Sequence, residues 1–206
     1  MNNIFFKNHG PFQFKDLFKD IKFDKKNISP DDAILDIKDL LSSNKDHLTF
    51  FHSKKYHLAA SKTNASYCVT YKNLANYLPV TCKPIYVDNV LLTISQITSK
   101  FYPEAINDDF DNTVKKIDEI VFENNIKYGH NVLIGNNVRI GKNCLIGHNT
   151  IIEKNVNIGS NCSIGSNVII RNTIIEDDVS ILDGCIIGKK GFGFFPNNQK
   201  NYGIHI

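Results

Sequence analysis

Residues 130–172 read HNVLIG NNVRIG KNCLIG HNTIIE KNVNIG SNCSIG SNVIIR N, one six-residue phrase spoken seven times without a gap. Isoleucine returns at Ile134, Ile140, Ile146, Ile152, Ile158, Ile164 and Ile170, and an asparagine stands three residues before each. The residue after each asparagine is small or β-branched: Val132, Val138, Cys144, Thr150, Val156, Cys162 and Val168. Glycine follows the isoleucine except at Glu153 and Arg171.

A period of six matches neither an α-helix nor an alternating strand, so the repeat describes an architecture. Each phrase predicts a short flat strand, favoured by the β-branched residues, with its isoleucine pointing inward. The asparagine predicts a corner, because it enters the left-handed backbone region at low cost. Three strands close one coil of 18 residues, and coils stack about 4.8 Å apart. The pattern extends backwards through Phe122 and Tyr128. Forwards, Ile175, Ile181 and Ile187 resume the spacing after a five-residue step from Ile170, which predicts a shortened corner at Arg171-Asn172-Thr173. Residues 116–188 leave room for roughly four coils, a prism about 19 Å long.

The phrase breaks at Gly188-Lys189-Lys190-Gly191-Phe192-Gly193-Phe194-Phe195, which predicts a loop thrown out of the solenoid. Tyr202, Ile204 and Ile206 then alternate as a half-buried strand does. A solenoid needs a polar terminal cap over its last core layer. The expectation is therefore an N-terminal fragment, with a solenoid incomplete at its C-terminal end.

The first hundred residues are patterned differently. Ala33–Ile37, His47–Phe51, Tyr67–Thr70 and Ile85–Asp88 read as strands, and Tyr71–Leu78 as a short helix ending at Pro79. Phe12, Phe14, Leu17 and Phe18 predict an amphipathic turn, and Ser29-Pro30-Asp31-Asp32 a reverse turn. The spacing of Val90, Ile94, Ile97 and Phe101 predicts a helix capped by Asn89 and ended before Pro103. Pro103–Thr113 loses all periodicity. The domain expectation is a small α/β domain over 1–103, a linker over 104–115 and a β-solenoid over 116–206.

With 206 residues, 42% of them hydrophobic, the chain can bury a substantial core. A net charge of +3 is too mild to point to nucleic acid. No apolar run approaches the roughly 20 residues needed to span a bilayer, and Met1–Phe23 lacks a signal-peptide core, so a cytoplasmic protein is expected. Cys144 and Cys162 fall one coil apart and read as small inward residues. Cys68, Cys82 and Cys185 show no metal-ligand spacing, so no metal site is expected.

One segment, Leu48–Tyr56 (LTFFHSKKY), is dense in aromatic and hydrogen-bonding groups. Read from the residues, it is either core aromatics beside an exposed basic turn or a pair of rings, Phe50 and Tyr56, able to sandwich a flat ligand. Together with the helix ending SKFYP, the hexapeptide array and ILDGCIIGKKGFGF, this segment resembles the UDP-3-O-acylglucosamine N-acyltransferases of lipid A biosynthesis. The resemblance implies a left-handed parallel β-helix and a homotrimer of the full-length chain. It implies transfer of a 3-hydroxyacyl chain from acyl carrier protein to the 2-amino group of UDP-3-O-acylglucosamine. No cofactor is implied beyond the donor's own phosphopantetheine.

It further implies that Phe50 and Tyr56 stack on uracil, with Ser53 where the family has Asn, Lys54 where it has Pro, and Lys55 matching. Gly191, Phe192, Gly193 and Phe194 match its second motif, in which Lys190 replaces an Asp. The family's general base is a histidine beyond Ile206, so no catalytic residue is expected within the chain, and the fragment is expected to be inactive alone. His130 and His148, one coil apart, read as solvated corner residues; His47, His52 and His57 surround the uracil site, where they either touch a phosphate or are surface residues. Two alternatives from other classes are an acetyl-CoA-dependent sugar acetyltransferase of the hexapeptide type and a catalytically silent sugar-nucleotide-binding subunit.

Overall fold

The computed structural model describes residues 3–24, 28–107, 109–120 and 125–190, with the backbone of Phe194–Phe195 and Tyr202–Gly203. The chain divides into two compact units, residues 1–5 with 108–191 and residues 6–107 with 192–206. The expected linker over 104–115 is shared between them.

The hexapeptide array is a left-handed parallel β-helix. One face stacks Lys127–Tyr128, Leu145–Ile146, Ser163–Ile164 and Ser180–Ile181, and a second stacks Arg139–Ile140, Asn157–Ile158 and Ile174–Ile175. The third stacks Leu133–Ile134, Ile151–Ile152, Ile169–Ile170 and Ile186–Ile187, with Lys115–Lys116 added antiparallel at its start. The repeating isoleucines point inward and are buried from Ile134 to Ile175. Burial of each contributes about 1.5–3 kcal/mol, which makes this column the main support of the unit.

The corners follow from the asparagines. All seven, from Asn131 to Asn167, have φ between 54° and 62°. Their side chains also form ladders up the stack, as from Asn131 Nδ2 to Asn149 Oδ1 at 3.1 Å. The five-residue step appears as expected: Asn172 takes the left-handed corner with φ 48°, and strands beyond it pair 17 residues on, as in Ser163 with Ser180. Asp178 and Gly184 take over the corner role above it.

Three of the glycines at the strand ends share a cause. At Gly129, Gly159 and Gly165 a Cβ would collide with His148 Nδ1, Asp177 Oδ1 and Asp183 Oδ1. These acceptors, from the next coil, take the hydrogen bonds of the His130, Ser160 and Ser166 amides at 2.8, 2.6 and 2.6 Å. Inward polar residues are satisfied in a similar way: Thr150 Oγ1 donates to the Gly165 carbonyl, and the Cys144 and Cys162 thiols to those of Gly159 and Glu176.

Asp111, in the expected linker, supplies the same kind of acceptor from the entering chain. Its carboxylate receives the Thr113 amide at 2.9 Å, the Thr113 hydroxyl at 2.7 Å and the Lys154 amide at 2.7 Å. Burial alone would raise this carboxyl, but those bonds outweigh it and hold Asp111 below its ordinary 3.8. Its stabilisation is therefore present above that value and lost as pH falls through the lowered one. Asp111→Ala is expected to cost about 1–3 kcal/mol at pH 7. Urea unfolding should show the gap to the parent shrinking at pH 3; a gap independent of pH would refute the assignment.

The other unit is α/β. Strand β1 (Phe12–Gln13) leads into helix α1 (Phe14–Leu17) and pairs antiparallel with β2 (Ala33–Ile34). Strands β3 (Asp36–Ile37), β4 (His47–Phe51), β5 (Tyr67–Thr70) and β6 (Lys83–Tyr86) form a parallel sheet in that order. Helix α2 (His57–Ala60) follows β4, and α3 (Val90–Phe101) follows β6. The Asn89 side chain caps α3 by accepting the Leu92 amide at 3.0 Å, as the sequence predicts. The predicted face, Val90, Ile94, Ile97 and Phe101, packs in one core with Leu48, Val69 and Ile85.

Three readings need correction. The single strand expected over Ala33–Ile37 is two, because Leu35 gives its amide to the Asp46 carbonyl and the chain changes partner there. The last strand sits two residues earlier than expected, at Lys83–Tyr86, where pairing with Tyr67–Thr70 sets its register. Pro84 is tolerated because this strand is at the sheet edge. The expected helix at Tyr71–Leu78 is a 3₁₀ turn over Lys72–Tyr77.

Candidate functional site

The LTFFHSKKY segment lies at the carboxyl end of β4, where a parallel sheet opens its loops and where α/β sheets bind ligands. Phe50 is the last residue but one of the strand and packs partly on the main core. The Thr70 hydroxyl, donating to the Phe51 carbonyl at 2.7 Å, ties this end of β4 to β5. The chain then turns through a 3₁₀ turn at Lys54–Tyr56.

Ser53 caps that turn: its hydroxyl oxygen accepts the Lys55 amide at 3.4 Å, which leaves its proton free to donate. His57 reinforces the turn through Nδ1, 3.0 Å from the Lys54 carbonyl. Tyr56 is left exposed. The Phe50 and Tyr56 rings each meet His52, at centroid distances of 6.0 and 5.5 Å. Burial lowers the His52 pKa from 6.5, so the ring is neutral at neutral pH.

The fold adds groups that the local sequence does not announce. Tyr77, from the turn after β5, stands 6.0 Å beneath the Lys54 ammonium and 5.6 Å from the His57 ring. Lys72, from the same turn, lies 5.9 Å from the ring of Tyr86 at the end of β6 and 3.7 Å from Asp24. Lys55 lies 5.9 Å from the Tyr56 ring. Flat rings interleaved with ammonium groups suit a ligand that joins an aromatic ring to negative charge. Spacing along the chain offers no signal for Tyr77 or Lys72, because sheet pairing brings them in.

Of the second predicted motif, Gly191, Phe192 and Gly193 lie outside the described residues. Phe194 is described only in its backbone, where Phe194–Phe195 pairs antiparallel with Tyr202–Gly203. Ile204 and Ile206 also lie outside. The two repeat histidines, His130 and His148, are exposed and stack with centroids 5.3 Å apart. Since His148 Nδ1 accepts the His130 amide, its proton sits on Nε2, and the ring serves the corner. Among the described residues, no three His, Cys, Asp or Glu side chains gather as a metal site requires. Among them too, no helix is long and apolar enough to cross a membrane.

The fold and these groups define a hexapeptide β-helix protein with an α/β unit that carries a ring-and-lysine cluster. Residues 128–191 match the family model described as GMPPB C-terminal domain, a left-handed β-helix-like hexapeptide fold in nucleotidyltransferases. That match covers about a third of the chain and lies on the repeat, so it supports the fold and a link to nucleotide-sugar transferases at a coarse level. The acyltransferase resemblance rests in part on motifs outside that match, LTFFHSKKY at 48–56 and SKFYP at 99–103. No curated protein matches the chain.

Proposed function

We propose that this protein is a hexapeptide-repeat N-acyltransferase acting on a UDP-sugar. The observation that carries this reading is the cluster of Phe50, His52 and Tyr56 with Lys54 and Lys55 at the carboxyl end of β4, with Lys72 beside Tyr86 in the loops at the carboxyl ends of β5 and β6. In this reading the α/β unit binds uridine, with Phe50 and Tyr56 on the base, the Ser53 hydroxyl donating to a base carbonyl, and lysines on the diphosphate. The resemblance assigns the GFGF motif at 191–194 to substrate binding as well.

The reaction joins a 3-hydroxyacyl group, delivered by acyl carrier protein in the cytoplasm, to the 2-amino group of UDP-3-O-acylglucosamine. A C–N bond forms as the thioester C–S bond breaks, and the proton lost by nitrogen leaves with the thiol. The donor brings its own phosphopantetheine, so no separate cofactor is needed.

A homotrimer is part of this reading. The outward residues Leu133, Ile151, Ile169 and Ile186 form an aliphatic ladder at strand spacing on one face of the prism. An identical ladder on a second copy matches that spacing, which favours self-association over a partner of irregular surface.

Calorimetry with UDP-N-acetylglucosamine tests the site. Phe50→Ala and Tyr56→Ala are each expected to weaken binding by about 1–3 kcal/mol, the range for one aromatic stacked on a base. Unchanged affinity in both variants would remove the nucleotide assignment. Sedimentation equilibrium on the full-length chain tests the trimer, and a monomer there would refute that part.

A further inference from the structure

His52 lies against both rings that the nucleotide reading assigns to a base. Alternate residues of a strand share a face, so Phe50 and His52 leave the end of β4 on the same side. The Phe50 and His52 rings are nearly parallel, at 23° and 6.0 Å. The turn at Lys54–Tyr56 then brings Tyr56 back to the imidazole at 5.5 Å and 46°. A run of three rings results, with the smallest meeting the other two.

A neutral imidazole is flat, polarisable and close in size to a pyrimidine. Burial keeps His52 in that neutral form. The Lys54 and Lys55 ammonium groups lie 6.0 and 5.9 Å from the Tyr77 and Tyr56 ring centroids. The Ser53 hydroxyl is turned toward the Lys55 amide.

We propose that His52 fills the base slot as a stand-in for a pyrimidine, and that a nucleotide binds by displacing it. This rests on the nucleotide reading of the site and adds to it a residue that sets nucleotide affinity. Displacing the imidazole breaks two ring contacts, and a planar base restores both. A sugar phosphate without a base leaves His52 in place, so its binding is independent of His52 while that of a nucleotide sugar is not.

The test is calorimetric titration with UDP-N-acetylglucosamine, and with N-acetylglucosamine 1-phosphate as the probe lacking a base. The proteins are the parent, His52→Ala, His52→Phe and Phe50→Ala. His52→Ala is expected to bind the nucleotide sugar about three- to tenfold more tightly, the factor equivalent to one aromatic pair. His52→Phe, with a larger and less polar ring, is expected to bind it more weakly than the parent.

A second reading is independent of variant folding. In the parent, the ring-current-shifted imidazole proton signals of His52 should move toward solvent values on saturation with UDP-N-acetylglucosamine. If His52→Ala binds no more tightly while Phe50→Ala still weakens binding, the stand-in role fails and the nucleotide site survives. Imidazole signals that stay put on saturation count against the stand-in role as well. If neither the parent nor any variant binds the nucleotide sugar, both readings fail.

Discussion

Gly188→Ala is expected to open the last described coil of the β-helix, while Gly184→Ala, four residues earlier, is expected to be tolerated. The two glycines share nearly the same backbone, with φ of 73° and 76°. An alanine at either place therefore meets the same left-handed penalty, about 1–2 kcal/mol. Their surroundings differ. A Cβ on Gly184 meets nothing within 4 Å. A Cβ on Gly188 would overlap the Arg171 carbonyl oxygen and approach the Thr173 hydroxyl to 2.5 Å.

That carbonyl cannot retreat freely, because it accepts the Thr173 hydroxyl at 2.6 Å inside the shortened corner. The added loss at Gly188 is about 3 kcal/mol, the upper end of overpacking penalties. Because a solenoid opens locally, hydrogen exchange at the Arg171 amide, which donates to the Ile187 carbonyl at 3.1 Å, is the sensitive readout. Equal protection in the two variants would show that the steric account is wrong.

Arg171→Leu is the second large change. Glu153 and Arg171 are the two repeat positions that depart from glycine, and they pair at 2.9 Å with side chains only 13% and 14% exposed. Burial pushes the Glu153 carboxyl above its ordinary 4.5; Arg171 opposes this and Asp111 adds to it. The charged form is thus held in place largely by Arg171. Removing the arginine leaves a buried carboxylate facing another, at a loss of about 3–5 kcal/mol.

The double variant Glu153→Leu/Arg171→Leu, which removes both charges, is expected within about 1 kcal/mol of the parent, as apolar replacements of buried pairs usually are. The pH dependence has a definite sign. A carboxyl raised above its unfolded value contributes stability that is full below about 4.5 and lost as pH rises through the folded pKa. The deficit of Arg171→Leu should therefore be largest at pH 7 and shrink at pH 4, where Glu153 takes up a proton. Urea midpoints of the three proteins at both pH values decide it. A double variant as unstable as Arg171→Leu would show that packing, not charge, matters at this corner.

Much of the α/β unit was legible for local reasons. The helix over Val90–Phe101 carries its cap, its buried face and its stop in its own residues. The β6 register was not legible, because it is set by hydrogen bonds to β5 and not by any preference within Lys83–Tyr86. The candidate site divides in the same way. Phe50, Ser53, Lys55 and Tyr56 lie within one seven-residue segment and can be read together. Tyr77 joins them only through a turn from another strand, and the meeting of His52 with both rings depends on the angle at which β4 enters its 3₁₀ turn.

For the array, the amino-acid sequence by itself determined the coil. Period six, inward isoleucine and asparagine corners are local consequences of side-chain shape and backbone preference, and even the five-residue step at Asn172 is visible in the numbering. Tertiary structure alone decided what lies between coils. Gly129, Gly159 and Gly165 are required because acceptors from residues 18 or 19 positions onward occupy the space of their Cβ atoms. Asp111 closes the same bonds from a stretch with no periodicity, and Glu153 tolerates burial because Arg171 stands one coil above it. Such contacts join residues far apart in the chain, and a repeat specifies its own period more directly than it specifies what its neighbours place against it.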